Sequence, residues 1–220
     1  MVVTEIFRSI QGESTYAGWP CIFVRLTGCN LRCHWCDTAY AFYGGTKLTP
    51  AEVLAKVHEF AEINGAPGAV SLVTLTGGEP LLQPDIYELI DKLLAEKFTV
   101  LVETSGERHL GRLPAVVVKI VDVKCPSSGE CGSFNLANLK LLAPKDEIKF
   151  VIADEADYAW AKEFLRQHRL TELVDTVTFS PVFGKLAPRR LAEWLLRDGL
   201  PVRLGLQLHK FIWEPETRGV

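Results

Sequence analysis

The 220 residues are 48% hydrophobic and 23% charged, with a formal net charge of -3, a balance that excludes general disorder and suits one folded domain over residues 1–220. No long basic block or basic amphipathic helix marks nucleic acid or an acidic membrane surface as the main partner. The N-terminal MVVTEIFRSIQGES lacks the charged-then-apolar layout of a leader and no apolar run could span a bilayer, so the expected compartment is the cytoplasm.

The first strand-like run is CIFVRLT at 21–27. A helix then opens at Thr49-Pro50 with Glu52 completing a capping box, and carries Val53, Val57, Phe60 and Ala61 on one stripe. The run at 69–76 (AVSLVTLT) precedes a second helix, DIYELIDKLLAEK, whose apolar face is Ile86, Leu89, Ile90, Leu93 and Leu94. Strands follow at 98–104 and 115–123, then the irregular CPSSGECGSFN at 125–135, which reads as an active-site or lid loop. A strand at 147–153, a helix at 156–168, a strand at 175–180, a helix at 188–198 and a strand at 201–209 complete the chain.

Near-continuous apolar strands suit a parallel sheet covered on both faces, and alternation with helices implies right-handed βα crossovers. Polar residues collect just after the strands: Cys29, Gly77-Gly78-Glu79, Glu103-Thr104-Ser105-Gly106, Asp122 and Lys124, Ser180-Pro181, and Gln207 with His209. Carboxyl strand ends are where barrel-like α/β enzymes build their sites. The expectation is an α/β fold, an incomplete (βα) barrel of about six to seven units, with a doubly wound sheet as the alternative.

TGCNLRCHWCDT spaces Cys29, Cys33 and Cys36 as C-x3-C-x2-C. In a reducing compartment such a group binds metal or does redox chemistry before it forms disulfides. Structural zinc wants four ligands, and Cys125 with Cys131 makes a poor second pair. Three thiolates on a tight loop suit a [4Fe-4S] cluster with one iron left open for chemistry. Packed cysteines without a ligand remain the bland alternative.

That spacing after a first strand, with TGGEP at 76–80 after the second, resembles the radical S-adenosylmethionine superfamily. The block EIFRSIQGESTYAGWPCIFVRLTGCNLRCHWCDT (5–38) and the C-terminal LQLHKFIW (206–213) are similar to the 7-carboxy-7-deazaguanine synthase family. These motifs cover about a quarter of the chain. The resemblance implies a lyase of queuosine and 7-deazapurine biosynthesis that turns 6-carboxy-5,6,7,8-tetrahydropterin into 7-carboxy-7-deazaguanine with loss of ammonia. It implies a [4Fe-4S] cluster, S-adenosylmethionine used without net consumption, Mg2+, an external flavodoxin or ferredoxin class electron donor, and a homodimer.

The resemblance also implies residue roles. Cys29, Cys33 and Cys36 hold the cluster; Trp35, Cys36, Asp37 and Gly78 line the S-adenosylmethionine site, with Glu103, Ser105, Lys124 and Ser127 as additions. Thr38 supplies an oxygen to magnesium, a suitable donor for a hard cation. Ile10, Gln11, Gly12, Glu13, Arg25, Thr76 and His209 contact substrate.

Some of these stand on chemistry of their own. Arg25 on an apolar strand needs an anion if buried, which a substrate carboxylate would supply as well as Glu13 or Asp37. Gln11 matches the donor and acceptor edge of a pterin amide, with a helix or turn residue facing water as the alternative. Thr38 alone would read as a turn cap. His209 could be a satisfied core histidine, and Glu79 could bond backbone amides. Cys21 reads as a small core residue, and Cys125 and Cys131 as free thiols in a mobile loop. A glycyl-radical-enzyme activase and a zinc adaptor are the rival functions.

Overall fold

The computed structural model describes residues 1–220. Its strands are β1 (Val2–Ile10), β2 (Pro20–Leu26), β3 (Thr46–Lys47), β4 (Leu72–Gly77), β5 (Thr99–Thr104), β6 (Val118–Asp122), β7 (Glu147–Ile152), β8 (Thr176–Pro181) and β9 (Arg203–Leu204). The helices are α1 (Pro50–Ala61), α2 (Ile86–Ala95), α3 (Glu155–Gln167), α4 (Pro188–Asp198) and the one-turn α5 (His209–Ile212). One sheet runs β3-β1-β2-β4-β5-β6-β7-β8-β9. From β2 onward every pairing is parallel, and β1 lies antiparallel to both β2 and β3. The sheet does not close, so the fold is an incomplete (βα) barrel.

The helix signals work as the sequence indicates. Thr49 and Glu52 make both bonds of the capping box, and Pro50 occupies the first turn, where its missing N–H costs nothing. Val53, Val57 and Ala61 are buried beneath it. Helix α4 ends at Gly199, whose φ of 58° is the left-handed stop that glycine adopts without a Cβ penalty.

One expectation, the length of the last strand, is corrected, and two features are new. Strand β1 is absent from the sequence reading, because its alternation of apolar and polar residues is interrupted by Glu5, Arg8 and Ser9. The last strand is two residues long, so Gln207 follows it and His209 opens α5. The crossovers from β5 to β6 and from β6 to β7 use only 3-10 turns (Leu110–Arg112, Pro126–Ser128, Leu136–Leu141) and no α-helix.

Alternation along each strand divides the molecule into two cores. Ile22, Val24, Val73, Leu75, Val100, Val102, Ile148, Phe150, Val177 and Phe179 belong to the core that includes the helices. The opposite face carries Phe7, Cys21, Phe23, Leu72, Leu101, Val118 and Ile120 in a separate apolar floor, with Phe7 and Phe23 stacked at 5.0 Å. Farther along these inner rows stand Arg25, Thr76, Glu103, Asp122 and Lys149, so the polar groups lie toward the carboxyl ends. The loop after β1 crosses this inner face: Thr15 bonds Glu147 on β7, and Arg203 on β9 donates to the Ser14 carbonyl at 2.8 Å. It thereby bridges strands at opposite sides of the open sheet.

Candidate active site

The cysteine loop leaves β2 at Gly28, whose φ of +99° only glycine adopts freely and whose N–H donates to the Ala41 carbonyl at 2.8 Å. Cys29, Cys33 and Cys36 are free and half-buried. The Leu31 amide donates to the Cys29 sulfur at 3.4 Å, and the Cys36 amide to the Cys33 carbonyl at 3.2 Å. Arg32 braces the loop by donating to the Cys29 and Leu31 carbonyls, each at 2.7 Å, and lies 4.4 Å from the Phe42 ring centre. The 125–135 segment docks against it: the His34 amide donates to the Ser128 carbonyl at 2.9 Å and Glu130 accepts from the Arg32 amide.

Burial pushes the Cys29 thiol up and Cys33 up to about 11, while the nearby Lys124 ammonium pulls both back. A metal must therefore displace protons when these sulfurs bind it. No three His, Cys, Asp or Glu side chains converge as they would on a single ion. A cuboidal cluster asks instead for thiols spread around an open corner, and three free, half-buried cysteines on one braced loop fit that demand.

The glycine turn touches this loop directly. Gly78 donates to the Leu26 carbonyl at 3.2 Å and Glu79 to the Gly28 carbonyl at 2.8 Å. A Cβ on Gly78 would come within 2.2 Å of the Gly28 oxygen and 2.6 Å of the Cys29 Cβ. Glu79 is buried and accepts from the Leu81 amide (3.0 Å), the Thr104 hydroxyl (2.8 Å), and the amide and hydroxyl of Ser105 (both 2.8 Å). Glu79 thus ties the end of β4 to the end of β5. Its bonds also occupy the Ser105 hydroxyl, and the Ser127 hydroxyl is engaged by Asp154 and Asp157.

Beneath the loop, the inner face gathers most of the expected substrate residues. Gln11, 2% exposed, is a buried group and not a water-facing turn residue: its amide nitrogen donates to Thr74 at 3.0 Å and Glu103 at 3.4 Å. Thr76 donates to the other Glu103 oxygen at 3.2 Å. Glu103 therefore stands with Gln11 and Thr76, two of the residues expected to contact substrate, although the resemblance implied a cofactor role for it. Burial, and then the negative charge of Glu13, raise its carboxyl above the usual range.

Arg25 pairs with Glu5 at 2.7 Å, not with Glu13 or Asp37, because antiparallel β1 sets Glu5 directly opposite it. Glu13 pairs instead with Lys149 of β7. Burial works to raise Glu13, but Lys149 and Gln207 hold its carboxyl below the ordinary range. Burial pulls Lys149 down, and the charges of Glu13, Asp122 and Glu103 more than offset it. Lys124 pairs with Asp122 at 2.9 Å. Sequence reasoning misses Lys149 and Glu5. A lysine inside EIKFVI carries the same signal as the arginine inside FVRLT, an isolated charge on an apolar strand.

The C-terminal segment covers the site from one side. The Leu208 amide donates to the Gly12 carbonyl at 2.9 Å, and the His209 ring lies against Gly12. Burial lowers the His209 pKa, which favours the neutral imidazole. Asp37 accepts from Gln207 (3.0 Å), Lys210 (2.8 Å) and Thr38 (3.0 Å). Trp35 is half-buried with the Lys185 ammonium 5.2 Å from its ring centre, and Ile10 closes β1 immediately before Gln11.

A cavity of about 220 Å³ lies on the inner face, lined by residues including Glu13, Glu147, Lys149, Thr178 and Arg203. A larger one, about 530 Å³, opens on the helical side beside Tyr158, Lys162 and Arg197, away from the strand ends. Cys21 and Cys125 are buried core residues, so Cys125 is not a mobile-loop thiol; Cys131 is exposed.

A family profile described as the radical SAM superfamily matches residues 23–193. A 7-carboxy-7-deazaguanine synthase of Koribacter versatilis is 56% identical, with all of both chains covered. One from Chlorobaculum tepidum is 47% identical over 99% of this chain and 96% of its own. Among solved structures, QueE from Escherichia coli superposes with a TM-score of 0.75 at 24% identity, covering 94% of each chain. Streptococcus suis SuiB shares the fold more distantly, with a TM-score of 0.57 at 15% identity over 83% of this chain and 47% of that one.

Proposed function

Since this chain belongs to the 7-carboxy-7-deazaguanine synthase family of the radical S-adenosylmethionine superfamily, we propose that it converts 6-carboxy-5,6,7,8-tetrahydropterin to 7-carboxy-7-deazaguanine with release of ammonia, in the formation of queuosine and related 7-deazapurines. The observation that carries this reading is the hydrogen-bonded group of Gln11, Thr76 and Glu103, with Arg25 on the neighbouring strand, on the same inner face that leads to the cysteine loop.

Cys29, Cys33 and Cys36 would hold a [4Fe-4S] cluster, with S-adenosylmethionine against Gly78, Trp35, Cys36 and Asp37. Together these groups supply hydrogen-atom abstraction, which side chains cannot perform. Gly78 lets the cysteine loop pack directly on the glycine turn, since a Cβ there would meet the Gly28 oxygen and the Cys29 Cβ, and this contact would set the turn's backbone beside a cofactor held at the cluster. Lys124 offers positive charge next to Cys29 and Cys33. Ser105 and Ser127, whose hydroxyls are committed elsewhere, would contribute through their backbone or shape the wall. Thr38, bonded to Asp37, would offer a hydroxyl oxygen to Mg2+.

For the substrate, Gln11, whose amide already bonds Thr74, Glu103 and the Glu13 main chain, would meet the pterin ring by giving up its long 3.4 Å bond to Glu103. Glu103, its carboxyl held above the usual range by burial and Glu13, would face the ring nitrogens. Arg25 can turn its remaining N–H groups to the substrate carboxylate while Glu5 holds its Nε. Glu13, fixed by Lys149, and His209, with Ile10 and Gly12, form the opposing wall. The floor of Phe23, Leu72, Leu101 and Val118 excludes water from below. The same reading carries one domain over 1–220, a cytoplasmic homodimer and an external flavodoxin or ferredoxin class donor.

The test is an anaerobic reaction of reconstituted protein with the pterin, S-adenosylmethionine, magnesium and reductant, followed by mass. Formation of 7-carboxy-7-deazaguanine is expected. Cleavage of S-adenosylmethionine without that product would overturn the substrate assignment and keep the superfamily chemistry.

A further inference from the structure

A continuous polar chain joins the inner face of the sheet to the cysteine loop. It begins at Lys149 on β7, which pairs with one oxygen of Glu13. The other Glu13 oxygen accepts from the side-chain amide of Gln207 at 2.9 Å. The same amide nitrogen reaches Oδ2 of Asp37 at 3.0 Å, and Lys210 donates to that oxygen at 2.8 Å. Asp37 directly follows Cys36. One –NH2 group therefore spends both of its hydrogens on carboxylates from two different loops, one beside the pterin wall and one beside the cluster cysteines.

We infer that Gln207 and Lys210 are positioning residues that fix the substrate loop (Gly12, Glu13) relative to the cysteine loop (Cys36, Asp37). The inference rests on the pterin and S-adenosylmethionine reading above. Two facing carboxylates repel unless a donor stands between them, and a neutral amide with two N–H groups satisfies both without adding a net charge. Glutamate in its place would put a third acceptor among them, and asparagine would fall a methylene short. Lys210, whose side chain is 9% exposed, supplies the charge that makes Asp37 tolerable at its half-exposed position. Regular structure holds the segment only briefly: β9 has two residues and α5 is one turn, and its other ties are the Gly205 and Leu208 main-chain bonds to Phe179 and Gly12 and the packing of Phe211 on Phe183. Hydrogen transfer between a bound cofactor and a bound substrate depends steeply on their spacing, so a slack tie should leave both bound but misaligned.

The experiment compares wild type with Gln207→Met, Lys210→Met and Lys210→Arg by two readouts. The first is hydrogen exchange in the cluster-free chain. Gln207→Met and Lys210→Met should speed exchange at Leu208 and through 207–212 by about tenfold, whereas Lys210→Arg should stay near wild type. The second is the number of S-adenosylmethionine molecules cleaved per product in the reconstituted enzyme, which should rise in the Met variants at unchanged iron content. Faster exchange with rising uncoupled cleavage supports the proposal. Faster exchange with normal coupling makes the tie structural only, and unchanged exchange in the Met variants removes it; either overturns the proposal. If wild type makes no ring-contracted product at all, the pterin reading fails, and the tie is then rejected as a positioning device for that reaction whatever the exchange rates show.

Discussion

A methyl group on Gly12 would meet the Nδ1 atom of His209 at 2.1 Å and its backbone nitrogen at 3.2 Å. The two residues are 197 positions apart in sequence (209 − 12), yet they form one wall. Gly12→Ala should push the imidazole aside and raise KM for the pterin about tenfold with a smaller change in kcat. His209→Ala should absorb most of that effect, so the double variant should resemble His209→Ala alone in a steady-state cycle. Additive losses would separate the two residues.

Gly78 faces backbone rather than a movable side chain, with the Gly28 oxygen 2.2 Å from the point a methyl group would occupy. Gly78→Ala should displace the cysteine loop at a cost of about 1–3 kcal/mol. Iron and labile sulfide per chain after reconstitution should fall below wild type while far-ultraviolet circular dichroism is retained. Full cluster loading would place the strain elsewhere.

Glu79→Gln replaces an acceptor of four hydrogen bonds with a group whose amide would confront the donors of Ser105 or of Leu81 and Thr104. The loss should be about 2–3 kcal/mol in urea unfolding of the cluster-free chain. A midpoint equal to wild type would show that the β4 and β5 ends do not depend on this carboxylate.

Arg25→Ala should raise KM about tenfold or more with little change in kcat if the guanidinium binds the substrate carboxylate alike in ground and transition states. Arg25→Lys should recover little of it, because lysine lacks the planar fork. Glu5→Gln should give a smaller rise, since it only loosens the aim of the arginine. A wild-type KM in Arg25→Ala would leave Arg25 as the partner of Glu5 alone.

Burial raises the Cys21 thiol to about 12, offset in part by its contact with the Thr74 hydroxyl at 3.2 Å. The folded state thus keeps a proton that the unfolded chain gives up near pH 8.5. The stability linked to Cys21 is fully present below that value and is lost as pH rises toward 12. The wild-type advantage over Cys21→Ala, measured by urea unfolding of the cluster-free chain at pH 8 and 10.5, should shrink at the higher pH. An equal advantage at both would place Cys21 in a less shielded setting.

The sequence alone determined the local features of this protein. Thr49, Pro50 and Glu52 start α1, Gly199 stops α4, and the apolar runs become strands because these signals act over a few residues and need no partner. The C-x3-C-x2-C spacing and the glycine turn were legible for the same reason. Only the tertiary structure decided who meets whom. Arg25 meets Glu5 because β1 pairs antiparallel to β2, Glu13 meets Lys149 because the loop after β1 crosses the open sheet, and Asp37 meets Gln207 because the chain end folds back. A charge on an apolar strand announces that it needs a counter-charge, but several acids in the chain could supply it. Register and the path of the sheet choose among them, since Coulomb attraction at contact distance favours whichever group the backbone carries there.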